Sequence, residues 1–509
     1  MDKIQEVLLN IVGTINTYLS NYILIILLIG IGVFYSINTN FVQVRCFGEG
    51  MKNVFGNIKL KGGNKNDGIS SFQALATAIA AQVGTGNIVG ACGAILIGGP
   101  GAILWMWIIA FLGMATIYAE AVLAQKTRIK KENGEFEGGP IYYIRTAFKG
   151  KFGKFLAGFF AVAAIIALGF VGAMVQSNSI AENVAGAFTA CGAGDTTLNV
   201  VKILVGVIVA VLAGFVLFGG TKKLAATCEK IVPVMASLYL IGGLIILCIR
   251  IQYVPAAIGM IFKYAFAPQA ITGGAIGAAI YIALTQGAKR GLFSNEAGMG
   301  STPHAHALAD VKDPHVQGTT AMIGVFIDTF VVLTMTALIV ISTLYAKDGA
   351  IGKIIAANEA LIDAGFTEVK SVESLAGLVG LTKANLAQQA FTMAFGGSQV
   401  AGIIGSIFVA ICLFFFAFST ILSWNYFGKV NFLHLFGKNS FKIYGCIAIV
   451  FVFLGAVFQN DLVWELTDMF NNLMVLPNAI ALVALVGIVS KAAENAKARK
   501  TEKINTSIK

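Results

Sequence analysis

The chain has 509 residues, 57% of them hydrophobic and only 12% charged, with a mean hydropathy of +0.81. That composition leaves too little polar surface for a soluble globule and defines a polytopic membrane protein. The net charge of +11 follows the loops of such a protein, so nucleic-acid binding, the other common meaning of a basic chain, has nothing behind it. Apolar spans at 17–38, 70–97, 99–125, 153–187, 199–219, 230–251, 270–292, 318–343, 397–425, 441–458 and 463–490 predict an all-α fold of about eleven transmembrane helices. No cleavage-site pattern follows the first span, which is read as a retained helix. The alternate loops 39–69, 126–154, 220–230, 289–317, 426–442 and 491–509 hold 28 of the 36 Lys and Arg residues. By the positive-inside rule they face the cytoplasm of a plasma-membrane protein, with the amino terminus outside and the carboxyl terminus inside. The scattered cysteines read as packed thiols, and His304-x-His306 lacks the spacing of a helical zinc pair, which favours a loop contact.

The span 70–97 is interrupted at its centre by Gln82-Val83-Gly84-Thr85-Gly86-Asn87. Main chain that leaves the helix at membrane depth exposes amides and carbonyls at several kcal/mol each, and is tolerated only where protein or a polar cavity satisfies them. Half-helices meeting there aim N–H groups at an anion and carbonyls at a cation. With the first helix set aside, ten spans divide into two sets of five that start on opposite sides, an inverted repeat. The organisation is then 1–69 (helix and cytoplasmic linker), 70–251 (first repeat), 252–490 (second repeat, with an external segment 344–388) and 491–509 (basic tail). The second repeat's first span also turns polar, at Ala283-Leu284-Thr285-Gln286-Gly287-Ala288-Lys289-Arg290, and this run is predicted to be a second break. Either run alone equally fits glycine for close packing; paired, they indicate a transport site.

Three segments then resemble a known family: GGPGAILWMWIIAFLG (Gly98 to Gly113), the run from Lys289 to Ser301 that includes Asn295 and Glu296, and Ser419-Thr420-Ile421-Leu422-Ser423-Trp424-Asn425-Tyr426. They are similar to motifs of the alanine or glycine:cation symporters, also called sodium:alanine symporters. The first departs from the family at Leu104, where phenylalanine is expected, a mild apolar exchange. The resemblance spans residues 15 to 490. It implies a LeuT-type amino-acid transporter core and sodium-driven import of alanine, glycine or a similar small neutral amino acid, with sodium the one ion required.

Particular residues can be assigned chemistry beside that resemblance. The amides of Thr85 and Gly86 suit a substrate carboxylate; Ala283, Leu284, Thr285 and Gln286 suit its ammonium group, with Gly287 leaving room. Gln176, in the polar cluster 176–179, is either a substrate contact or an interhelical hydrogen bond. Trp424 is either a pocket wall or an interfacial anchor. The carbonyls of Ala80, Val83 and Phe416 and the hydroxyls of Ser419 and Thr420 offer hard oxygen ligands for sodium. They match the ion site that the wider fold places between its first and eighth core helices. A second sodium site at Asn87 and Gln82 is weakened by Ala283, its expected partner, which brings no hydroxyl. Of the acids within spans, Glu120 and Asp328 need partners, either the break or Lys289 and Arg290. Glu182 is expected near the outer surface. The segment carrying Lys289, Arg290 and Glu296 suits an inner gate or a solvated loop. Proton coupling through Asp328, or a larger cargo such as glutamine, is the alternative within the class. An intramembrane enzyme would require a nucleophile or metal motif at depth, and neither His-Glu-x-x-His nor Gly-x-Ser-x-Gly occurs in a span.

Overall fold

The structure is a computed structural model that describes residues 2–56, 69–132, 134–272, 276–364, 370–458 and 460–508. Linker positions 57–68, with Lys59, Lys61 and Lys65, and positions 365–369 of the external segment lie outside the described residues. Among those described, nine helices are long and apolar enough to cross a bilayer, and the bent pair Ser71–Gln82 and Gly86–Gly98 makes a tenth. The predicted span 270–292 corresponds to the 20-residue helix Ile276–Asn295. A short hairpin, Ile129–Lys130 with Phe136–Glu137, is the one sheet among the described residues.

Local chemistry fixes where the central helices start. Ser70 and Gln73 form a reciprocal capping box at the head of Ser71–Gln82, satisfying two amide donors that the helix cannot. The Asp313 side chain caps the helix beginning at Pro314, and Ser398 caps Gln399–Phe436. The first helix, Glu6–Asn38, lies against Ala102–Thr127 and the last span; Tyr35 donates to the Leu482 carbonyl at 2.5 Å.

The core is the bundle of Ser71–Gln82 with Gly86–Gly98, Gly150–Ala190, Ile276–Asn295, Pro314–Leu344 and Gln399–Phe436. Its faces toward lipid carry exposed Ile, Val and Phe, while its interior buries Thr77, Gln82, Thr85, Asn87, Gln176 and Asp328. This inversion of a soluble protein's pattern suits a bundle with a polar centre in an apolar solvent. The segment 344–388 contributes to a helical cover made of Ala350–Asp363, Val372–Leu378 and Leu386–Ala394. Arg250 pairs with Asp348 and Lys263 with Glu359 along its edge, and Tyr345 donates to the Ile95 carbonyl at 2.9 Å. Among the described residues there is no disulfide, and Cys191, Cys248 and Cys446 are exposed rather than packed as expected.

Candidate functional site

Ser71–Gln82 stops at Val83, whose ψ of 85° leaves the helix, and the chain resumes helically from Gly86 at an angle of 45°. The predicted break at 82–87 is therefore present. Gly84 is there because nothing larger fits: a Cβ on it would lie 2.4 Å from Thr420 Oγ1. That close approach brings the break against Gln399–Phe436. Thr420 Oγ1 lies 2.9 Å from the Ala80 carbonyl and 3.1 Å from that of Phe416; Ser419 Oγ lies 2.9 Å from Phe416 and 3.5 Å from Ala80. Four of the five expected ion ligands thus converge, and the fifth, Val83, is buried at the helix end beside them. On the other side of the loop the Thr85 amide donates to Gln176 Oε1 at 3.2 Å. Thr85 Oγ1 and Gln176 Nε2 are buried with no hydrogen-bond partner among the described residues. Such atoms cost about 1–3 kcal/mol each unless something else fills the role.

The second break is elsewhere than predicted. Ile276–Asn295 runs unbroken through Ala283, Leu284, Thr285, Gln286 and Gly287, and the chain unwinds only at Glu296 to Thr302 before the short helix Pro303–His306. Glu296, Gly298 and Gly300 all adopt positive φ there, which glycine tolerates and glutamate does not without support. A Cβ on Gly98 would meet Ala283 and Gln286, whereas one on Gly86 would meet Ser294. Residues 283–287 therefore flank the far end of Gly86–Gly98, and Phe293 and Ser294 take the place beside the first break.

The support for Glu296 is explicit. Its carboxylate accepts from Trp424 Nε1 at 2.5 Å and from the Ser301 hydroxyl. Trp424 is 1% exposed and edge-on to Phe293 at 5.7 Å, which places it inside the bundle and not at an interface. Glu120 accepts from the Gly298 amide at 3.1 Å and from Asn478 Nδ2 at 2.6 Å, so it holds the second break instead of pairing with Lys289 or Arg290. Asp328 holds the first: Asn87 Nδ2 donates to it at 2.6 Å, and the Ser294 and Thr329 hydroxyls at 2.9 Å each. Asn87 Oδ1 meanwhile accepts from Gly84, and Gln82 donates to the Asn295 carbonyl at 2.8 Å. The group that faces Asn87 is thus Asp328, itself bonded to Ser294, and not Ala283.

Lys289 and Arg290, expected in an inner gate, lie within the helix on the Gly98 side of the break, away from Ser71. Both pair with Asp468, at 2.7 and 3.2 Å, and Arg290 sits over Trp464, whose ring is 4.9 Å from Phe293. Glu182 pairs with Lys202 at 2.7 Å in a partly exposed position. His304 and His306 are buried and held by Asn431 and Gln317, as a contact role predicts. Phe293, Ser294, Trp464 and Asp468 were absent from the expectations. The first two adjoin the glycine alternation Gly298-x-Gly300 and were findable from it; the last two meet the site only through the fold.

Two helices broken at facing points inside one bundle, each break held by buried acids and amides, define a membrane carrier. The chain matches the model of the sodium:alanine symporter family over residues 5–509 and belongs to that family. It is 37% identical over 481 residues to the sodium/alanine symporter AgcS of Methanococcus maripaludis, covering 94% of this chain and 95% of that one. It is 36% identical over 487 residues to a probable sodium/glutamine symporter, GlnT, of Bacillus subtilis, covering 95% and 90%. Among solved structures it resembles MhsT in complex with L-phenylalanine, with a TM-score of 0.54 at 13% identity, covering 84% of this chain and all of that one. The fold is the LeuT-type transporter fold, and the chain is an amino-acid:cation symporter of a multi-pass membrane class.

Proposed function

We propose that this chain imports a small neutral amino acid, alanine or glycine, together with sodium by alternating access. The observation that carries the proposal is the meeting of Ala80, Phe416, Ser419 and Thr420 oxygens at 2.9 to 3.5 Å directly behind a loop where the Thr85 hydroxyl, and the amide nitrogen of Gln176 on the facing helix Gly150–Ala190, have no hydrogen-bond partner among the described residues. A sodium ion seated among those oxygens would take the carbonyls that the hydroxyls now occupy, and the hydroxyls would turn their lone pairs to it. The zwitterion's carboxylate would sit against Thr85 and Gly86. Its side chain would face Phe293 and Trp424, whose bulk favours a small residue. Both ligands use one stretch of main chain, so each stabilises the conformation that the other needs. Sodium entering down a membrane potential supplies about 2.3 kcal/mol per 100 mV. The positive-inside asymmetry supports an orientation with Ser71 at the cytoplasmic end, and the domain division at 70–251 and 252–490 goes with it.

The test is radiolabelled alanine uptake into proteoliposomes with and without sodium. Thr420→Ala should raise the sodium needed for half-activation by about tenfold, the equivalent of one lost ligand interaction. Unchanged sodium activation would refute the ion assignment. Asp328, an acid bonded to the break itself, favours one second reading, proton coupling. Uptake driven by a pH gradient without sodium, and lost in Asp328→Asn, would establish it instead.

A further inference from the structure

We infer that Cys46, Glu49 and His315 form a site for a thiophilic divalent cation of the zinc class, remote from the transport site, which clamps two helices at the Ser71 end of the molecule. Cys46 Sγ, a Glu49 carboxylate oxygen and a His315 ring nitrogen all lie within 4.8 Å of one another. His315 Nε2 faces Glu49 Oε1 at 3.3 Å. In a tetrahedral zinc site with bonds of about 2.0–2.3 Å, ligand atoms sit roughly 3.5 Å apart, so the side chains need to close by about an ångström. One thiolate, one imidazole and one carboxylate form a donor set suited to zinc, with a water completing four-coordination.

The surroundings support the ring orientation such a site requires. The Tyr118 hydroxyl lies 2.7 Å from His315 Nδ1, and when it accepts the Nδ1 proton the Nε2 lone pair is the one directed to the Glu49 side. The Asp313 carboxylate accepts from the His315 amide at 3.1 Å, which fixes the backbone. On the opposite wall, Asn40 and Phe41 adopt left-handed backbone, and the turn they make feeds Val42–Arg45 and Phe47–Phe55, with Cys46 at the junction. Phe47–Phe55 lies flush on Pro314–Val325: a Cβ on Gly50 would stand 2.7 Å from the Thr319 carbonyl. Cys46 and His315 are buried, while Glu49 keeps about a third of its side chain exposed and gives an ion a way in. On binding, the Cys46 thiol proton passes to solvent and a metal–sulfur bond forms, with no change of oxidation state. His315 is 13 residues from Asp328 along Pro314–Leu344, about 20 Å away at 1.5 Å per residue. A clamp here would thus act on a helix that reaches the first break without touching the cargo.

The experiment uses the full chain purified in detergent, titrated with Co2+ as a spectroscopic probe and then with Zn2+. The wild type should show a thiolate-to-cobalt absorption band saturating at one ion per chain, displaced by Zn2+ and missing from Cys46→Ser. Tyr118→Phe should keep the band and weaken binding by about tenfold, as loss of an orienting partner does. Glu49→Gln, on the exposed side, should weaken it similarly and serves where Cys46→Ser does not fold. In proteoliposomes, Zn2+ should slow alanine uptake at least tenfold in the wild type and not in Glu49→Gln at the same concentration. Absence of the band in the wild type, its persistence in Cys46→Ser through Cys191, Cys248 or Cys446, or undiminished binding by Glu49→Gln would overturn the proposal. Because binding is read by absorption, it can fail while sodium-driven uptake stands, and the reverse.

Discussion

At Gly84 the presence or absence of one methyl group decides whether the site exists. An added Cβ would be 2.4 Å from Thr420 Oγ1 and 3.2 Å from Gln176 Oε1, so both the proposed ion ligands and the proposed substrate loop would have to move. Overpacking of this kind costs about 1–3 kcal/mol. Gly84→Ala should therefore lower the unfolding temperature and abolish uptake. Gly84→Ala combined with Thr420→Ala, which removes the nearer obstacle, should recover part of the stability and none of the sodium dependence. A thermal-unfolding series on the single and double variants measures this coupling. Additive losses would show that the two residues do not collide.

The two breaks differ in how they are held, and that difference governs what the chain reveals of them. The first is a short loop whose polar residues interrupt an apolar run, so Gln82 to Asn87 were legible as a break, and so was the Ser419-Thr420 pair that faces it. The second lies at Glu296 to Thr302, whereas the polar run nearest the middle of its span is Thr285-Gln286-Gly287. Gln, Lys and Arg are good helix formers, and one glycine does not end a helix that packs on both sides. What ends it is the alternation Gly298-x-Gly300 together with a glutamate forced to positive φ. Nor could local pattern show that Glu120, on Ala102–Thr127, and Asn478, on the last span, both reach Gly298. Glu120→Gln preserves the shape of that contact but turns one acceptor into a donor facing donors, at a cost of about 1–3 kcal/mol. Amide hydrogen exchange across 296–302 should quicken by tenfold or more in this variant while exchange across 82–87 stays unchanged. Equal protection in both proteins would show that Glu120 does not hold the break.

Across the whole molecule, alternating access needs a closure that can be released on each side of the site. On the Gly98 side the structure shows one: Phe293, Trp464 and Arg290 stack over the break, and Asp468 ties Arg290 and Lys289 to the last span. Under the proposed orientation this is the extracellular side, and the present arrangement is closed there. Asp468 is 3% exposed and faces two cations, so removing its charge leaves Arg290 buried without its carboxylate and Lys289 with only the longer contact to Glu465 at 3.7 Å. Breaking a buried pair in that way costs about 3–5 kcal/mol, and the open state, where water reaches all three groups, escapes most of it. Asp468→Asn should therefore shift the population toward the state open on this side. Binding of alanine and sodium from outside should be preserved or tightened, because the competent state is more populated. The maximal uptake rate should fall at least tenfold, because the carrier must close behind its cargo to turn over. Asp468→Glu should restore much of the rate. Initial-rate kinetics separate these effects: a raised half-saturation concentration with an unchanged maximal rate would mean that Asp468 contributes to binding and not to closure.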